Sequence, residues 1–87
     1  MTRMNSKILK ALLEAGAVRR VHVIAEGSFI RIEIETQAGP TAINTQDGKL
    51  KTWGTLDAAA KWIHTFGIGT CQLDLSRWQP GQKGMKL

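Results

Sequence analysis

The sequence predicts an α+β fold: a single small domain in the order α-β-β-β-β-α-β, with a curved, mainly antiparallel sheet and two helices packed on one face. Three observations predict it. Residues 29–36 (FIRIEIET) alternate without a break, Ile30, Ile32 and Ile34 to one side and Arg31, Glu33 and Glu35 to the other, as in a half-buried strand. One segment near each end carries apolar residues at helical spacing instead. Between them, Gly, Pro and Asp-Gly turn signals cut the chain into strand-sized pieces.

The first helix is expected over residues 6–15, where Ile8, Leu9, Leu12 and Leu13 form one face. Asn5 or Ser6 can cap its free amides, and Gly16 suits the left-handed position past its end. So short a helix does not persist alone in water, so it must pack on something. A first strand follows over 17–25 (AVRRVHVIA), with Val21, Val23 and Ala25 on one face and Arg20, His22 and Ile24 on the other. Glu26-Gly27-Ser28 makes a tight turn into the second strand, 29–36. A turn at residues 37–40 leads to a short third strand over 41–44, and Gln46-Asp47-Gly48 to a fourth over 49–53 (KLKTW). Thr55 caps the second helix, 56–66, whose stripe is Leu56, Ala59, Ala60, Ile63 and Phe66, and Gly67 ends it. The last strand, 70–75, turns Cys71, Leu73 and Leu75 inward by its alternation. Both helices need one apolar surface, which the isoleucine face supplies. The other face, with Arg31, Glu33, Glu35, Lys49 and Lys51, meets water. The domain is expected to span 1–78 and residues 79–87 to form a flexible basic tail.

Eighty-seven residues, 43% hydrophobic and 22% charged, suit one small globular domain and not a disordered chain. No apolar run approaches the roughly 18 residues of a membrane span, and the N-terminal segment, broken by Lys10 and Glu14, lacks the apolar run of a secretory signal. A lone cysteine makes neither an internal disulfide nor a zinc site. The expectation is a cytoplasmic protein without metal or cofactor and without membrane contact.

Catalysis finds little support. Cys71 at an inward strand position reads as a small core residue, since a reactive thiol needs a partly exposed, electropositive setting. His22 and His64 have no local ligand partners. Glu33 and Glu35 lie about 7 Å apart on one strand face, a spacing a hydrolase could use. Arg31 and the lysines of the fourth strand offer them ordinary cross-strand partners instead. Gly67-Ile68-Gly69-Thr70 follows a helix rather than opening one, so it presents carbonyls and not the amides that cradle phosphate. The chain is therefore expected not to be an enzyme.

The charge is uneven. Twelve Lys and Arg face seven Asp and Glu, a net +5. Up to Leu75 there are nine basic and seven acidic residues, while Arg77, Lys83 and Lys86 supply the remaining +3 without an acid. Lys49 and Lys51 share strand parity with Trp53, Lys61 adjoins Trp62, and Arg77 adjoins Trp78. Single-strand nucleic-acid binders interleave aromatics and basic groups in this way. The same tryptophans also serve simply to close the edge of a small core. Lys49, Lys51, Trp53, Lys61, Arg77, Trp78, Lys83 and Lys86 are thus the candidate contact residues, for nucleic acid or a protein partner.

Several stretches carry a family resemblance: residues 12–19 (LLEAGAVR), 56–60 (LDAAA), 66–69 (FGIG), 73–76 (LDLS) and 78–81 (WQPG), with the turn at 46–48 (QDG). Together they resemble the ParC-type partition-associated proteins of bacterial plasmids and mobile elements, over nearly the whole length from Ile8 to Gly81. The chain departs from that family in the C-terminal extension, which there is often longer and charged. The resemblance implies a bacterial cytoplasmic setting and an accessory role in partition or maintenance, and brings no catalytic or ligand-binding residues. The expected function is a non-enzymatic accessory protein acting by protein contact, with itself as a homodimer or with a partition or maintenance protein. The alternative is a nucleic-acid-binding accessory protein using the Lys/Trp surface and the basic tail.

Overall fold

The computed structural model describes residues 4–79. Its elements are α1 (Ser6–Glu14), β1 (Val18–Gly27), β2 (Phe29–Thr36), β3 (Gly39–Ala42), α2 (Leu56–His64) and β4 (Gln72–Trp78). The α+β class and both helices on one sheet face are as expected. Residues 80–87, which include Lys83, Lys86 and nearly all of the expected tail, lie outside the described residues. Gln79 is within them, and its amide still donates to the Gly27 carbonyl at 2.7 Å.

Each helix begins where a side chain satisfies its first free amides. Asn5 Oδ1 accepts from the Ile8 amide at 2.9 Å, and Thr55 Oγ1 from Ala58 at 3.1 Å. Gly27, at φ 58°, makes the tight β1–β2 connection, a conformation costly for a side-chain-bearing residue. From there β1 and β2 pair antiparallel, Val21 opposite Ile34, Val23 opposite Ile32 and Ala25 opposite Ile30. These six residues, all nearly solvent-free, floor the core. Met4, Leu9, Ile43, Ala59 and Ile63 close it from above and from the side, and Ile8, Leu12, Leu56, Trp53, Trp62 and Phe66 pack around it.

The sheet order is β3-β2-β1-β4, with β4 parallel to β1. The chain leaves β3 at one edge, crosses the sheet through α2, and returns as β4 at the other edge. That crossover places α2 over the middle of the sheet, not over β4.

The expected fourth strand, residues 49–53, is not a regular strand. It makes two separate bridges instead, Leu50 with Asn44 and Trp53 with Ile30. The cause is the short β3, which pairs only with the second half of β2, from Glu33 to Thr36. The first half is completed in relay: Ile43 donates to the Ile32 carbonyl at 3.1 Å, and Trp53 and Ile30 exchange two backbone bonds of 2.8 Å. Lys49 and Lys51 consequently do not join the charged sheet face. Lys51 Nζ lies 5.5 Å from the centre of the Trp53 ring.

The larger departure is the last strand. Leu73 remains 52% exposed and Leu75 42%, and Cys71 is exposed as well. The sequence alternation placed all three inside. The inference of parity is sound, since Leu73 lies beside the buried Val23, on the helix side of the sheet. What fails is the assumption that the helices reach that far.

Candidate functional site

The open face of the sheet carries a charged network. Arg31 donates to Glu26 at 2.6 Å and to Glu33 at 3.2 Å, Arg77 reaches Glu26 at 3.6 Å, and His22 meets Glu35 at 3.2 Å. The hydrogen bond from Arg31 holds the Glu26 carboxyl below its ordinary range, outweighing partial burial. Partial desolvation pushes the Arg31 guanidinium down, but its bonds to Glu26 and Glu33 win and raise it. An ionised, paired Glu26 is no proton donor, so this network reads as cross-strand pairing. Glu35 takes His22 as its partner, not a lysine, and Glu26, placed in a turn by sequence, is the central acceptor. Among the described residues no three His, Cys, Asp or Glu side chains converge on a metal-sized point.

The predicted Lys/Trp residues divide into two groups. Trp53 packs against Trp62 in a tilted arrangement with ring centres 5.1 Å apart, and Trp62 against Phe66 in the same way at 4.7 Å, all half-buried against the core. Lys51 lies over Trp53, Lys49 is exposed nearby, and Lys61 pairs along α2 with Asp57 at 3.2 Å. Arg77 and Trp78 belong to β4, where Trp78 pairs with Gly27 and packs against the core. Trp53 borders the far side of β2, so three inter-strand steps, about 15 Å, separate the two groups. The structure does not gather the six described candidates on one surface; Lys83 and Lys86 lie outside the described residues.

Cys71 sits between two shallow grooves beyond the end of α2. One, of about 470 Å³, is bordered by Leu13, Val18, Arg19, Arg20, Ile68 and Cys71. The other, of about 610 Å³, brings Cys71 and His64 to a common rim with Ala60 and Ile63. No hydrogen bond joins the thiol to the imidazole, and both are exposed. Nucleophilic chemistry needs that contact and an orienting third group.

The feature that stands out is β4 itself. It ends the sheet on one side, with β1 on its inner side and no strand beyond it among the described residues. The opposite edge, β3, is four residues long and contains Pro40, a usual way of blunting an edge. β4 runs for seven residues without Pro or Lys and exposes Leu73 and Leu75 beside that edge. Midway it carries a bulge, where Leu75 and Ser76 together stand opposite Ala25 in the register. Asp74 Oδ1 clips the bulge, accepting from the Ser76 amide at 2.9 Å and from its hydroxyl at 2.7 Å. The two bonds from Ser76 hold the Asp74 carboxyl below its ordinary range. Beyond the bulge Arg77 points to the charged face, toward Glu26, and Trp78 to the helix side.

Sequence reasoning missed Leu73 and Leu75 as surface residues, although helix length carried a signal. Two nine-residue helices, each about 13 Å long and 10 Å wide, cover about 270 Å². The four strands, of ten, eight, four and seven residues, offer about 460 Å². One edge strand had to remain bare.

In comparisons with known proteins, no family model, no curated protein and no solved structure matches this chain. Among the described residues no helix is long and apolar enough to cross a membrane.

Proposed function

We propose that this chain is a non-enzymatic accessory protein that acts through protein–protein contact, with β4 as its contact element. One observation carries the reading: a seven-residue edge strand that exposes two leucines on the same side of the sheet as the core. An open edge adds a strand from a partner through backbone hydrogen bonds, and side chains on alternate positions give specificity. Leu73 and Leu75 are what such a strand would cover. The resemblance to ParC-type partition-associated proteins supplies a setting, the cytoplasm of a bacterium carrying a plasmid or mobile element, and a task in partition or maintenance.

The test compares the full chain with a Leu73→Lys/Leu75→Lys variant. Both positions are already half-exposed, so the variant is expected to keep its fold. In cells that produce the protein, a photo-crosslinker at Gln72 should trap a protein partner in the parent chain, and trapping should vanish in the double variant. Equal trapping in both, or trapping only from a control position on β3, removes β4 from the account.

The nucleic-acid reading is favoured by one contact, Lys51 over Trp53. A tryptophan-fluorescence titration with single-stranded and duplex DNA tests it. Saturable binding with a steep salt slope supports it, and no response at low salt rejects it.

A further inference from the structure

We infer that the occupant of β4 is the β4 strand of a second copy, paired antiparallel about a two-fold axis between Leu75 and Ser76. This rests on the protein-contact reading above and names its partner.

The argument lies in the order of side chains along the edge. From Gln72 to Trp78 the strand reads Gln, Leu, Asp, Leu-Ser, Arg, Trp. Gln72, Asp74 and Arg77 pair with His22, Ile24 and Glu26, so they lie on the charged face; Leu73 and Trp78 pair with Val23 and Gly27, on the helix side. A two-fold axis perpendicular to the sheet returns each face to itself. It therefore demands that partnered positions share a face.

In a regular strand, Asp74 and Arg77 are three residues apart and point to opposite faces. The bulge adds one residue and brings both to the charged face. A bulge usually spoils an edge for pairing. Here it makes the edge self-complementary. With the axis between Leu75 and Ser76, Asp74 meets Arg77 of the second copy, and Leu73 meets its Trp78. Every charged pair is of opposite sign, twice over by symmetry. Moving the axis onto Leu75 puts Asp74 opposite Ser76 and the apolar Leu73 opposite the charged Arg77, on mismatched faces.

Both charged groups have capacity for a partner. Among the described residues Asp74 accepts through Oδ1 alone, and no hydrogen bond to its Oδ2 is made. Arg77 has a side chain 78% exposed and, among the described residues, makes one long ion-pair contact, so most of its five donors face solvent there. The two copies would form one eight-stranded sheet with both helix layers on the same side. Leu73, Leu75 and Trp78 from each copy would fill the gap between those layers.

The experiment is sedimentation equilibrium of the full chain over a wide concentration range. A species at twice the 9.6 kDa chain mass is expected. Asp74→Arg alone, or Arg77→Asp alone, sets like charges opposite each other at both symmetric sites and should weaken association at least tenfold. An equimolar mixture of the two variants restores opposite charges at both sites and should recover the dimer. Should either variant unfold, a second measurement decides. In a Cys71→Ser background, Asp74→Cys chains mixed with Arg77→Cys chains should oxidise to a mixed disulfide. Asp74→Cys chains alone should not, because the two copies of that position would stand about 10 Å apart, beyond disulfide reach. A parent chain that stays monomeric at several hundred micromolar overturns the inference, as does a dimer indifferent to both charge variants. If the chain is monomeric yet crosslinks at Gln72 to another protein in a Leu73- and Leu75-dependent way, the second copy is the wrong occupant and the contact reading stands.

Discussion

The same chemical deletion, leucine to alanine, should have very different consequences at Leu9 and Leu73. Leu9 is fully buried between α1 and the sheet, so Leu9→Ala removes buried methyl groups and leaves a cavity that its neighbours fill only in part. Such deletions cost about 3–5 kcal/mol. Leu73 is already 52% exposed, so only about half of a leucine's transfer energy of roughly 1.5–3 kcal/mol is at stake, and water fills the space it leaves. Leu73→Ala should therefore cost about 1 kcal/mol in the monomer. Against a total stability of about 4–11 kcal/mol for a domain of this size, the first change threatens folding and the second lowers Tm by roughly 4–8 °C. Urea unfolding followed by tryptophan fluorescence measures both, run first at low micromolar protein. A gap of about 2 kcal/mol or more is expected. If the two variants lose equal stability at that dilution, something within the chain covers β4 and the reasoning about its bare face is wrong. Repeating the series at high concentration adds a second reading. Association that buries Leu73 makes its deletion more costly as concentration rises, by mass action.

Three further outcomes are expected. Cys71, exposed just before β4, should react fully with a thiol reagent in the native protein without unfolding; protection until denaturant is added would return it to the core. Asn5→Ala and Thr55→Ala should each lower stability by about 1 kcal/mol in chemical denaturation, with Thr55→Ser largely restoring the second, because each side chain satisfies one free amide at a helix start. The Glu26 and Asp74 carboxyls are held below their ordinary values of 4.5 and 3.8, so the stability they contribute is complete above those values and lost as pH falls through the lower folded ones. Denaturation midpoints measured from pH 7 to pH 2 should decline on that acid limb, and Glu26→Gln should flatten it.

The local elements were legible because each depends on nearby residues. The alternation of 29–36 specifies a strand with one dry face, and the caps at Asn5 and Thr55 and the glycine at 27 mark where elements start and turn. Which residues share a face was equally readable, including Leu73 on the side of Val23. How much of that face is covered was not. Burial depends on where the helices lie, and that follows from the sheet order.

The sequence by itself determined the class of fold, the two helices, the hairpin at Gly27 and the core isoleucines, because short-range periodicity and turn chemistry encode them. Only the tertiary structure decided that the chain returns at the far edge, parallel to β1, with α2 left over the middle of the sheet. From that one choice follow the bare leucines, the exposed Cys71 and the bulged edge on which Asp74 and Arg77 share a face. The physical reason is that parity is a property of a strand alone, whereas exposure is a property of the area two short helices can cover.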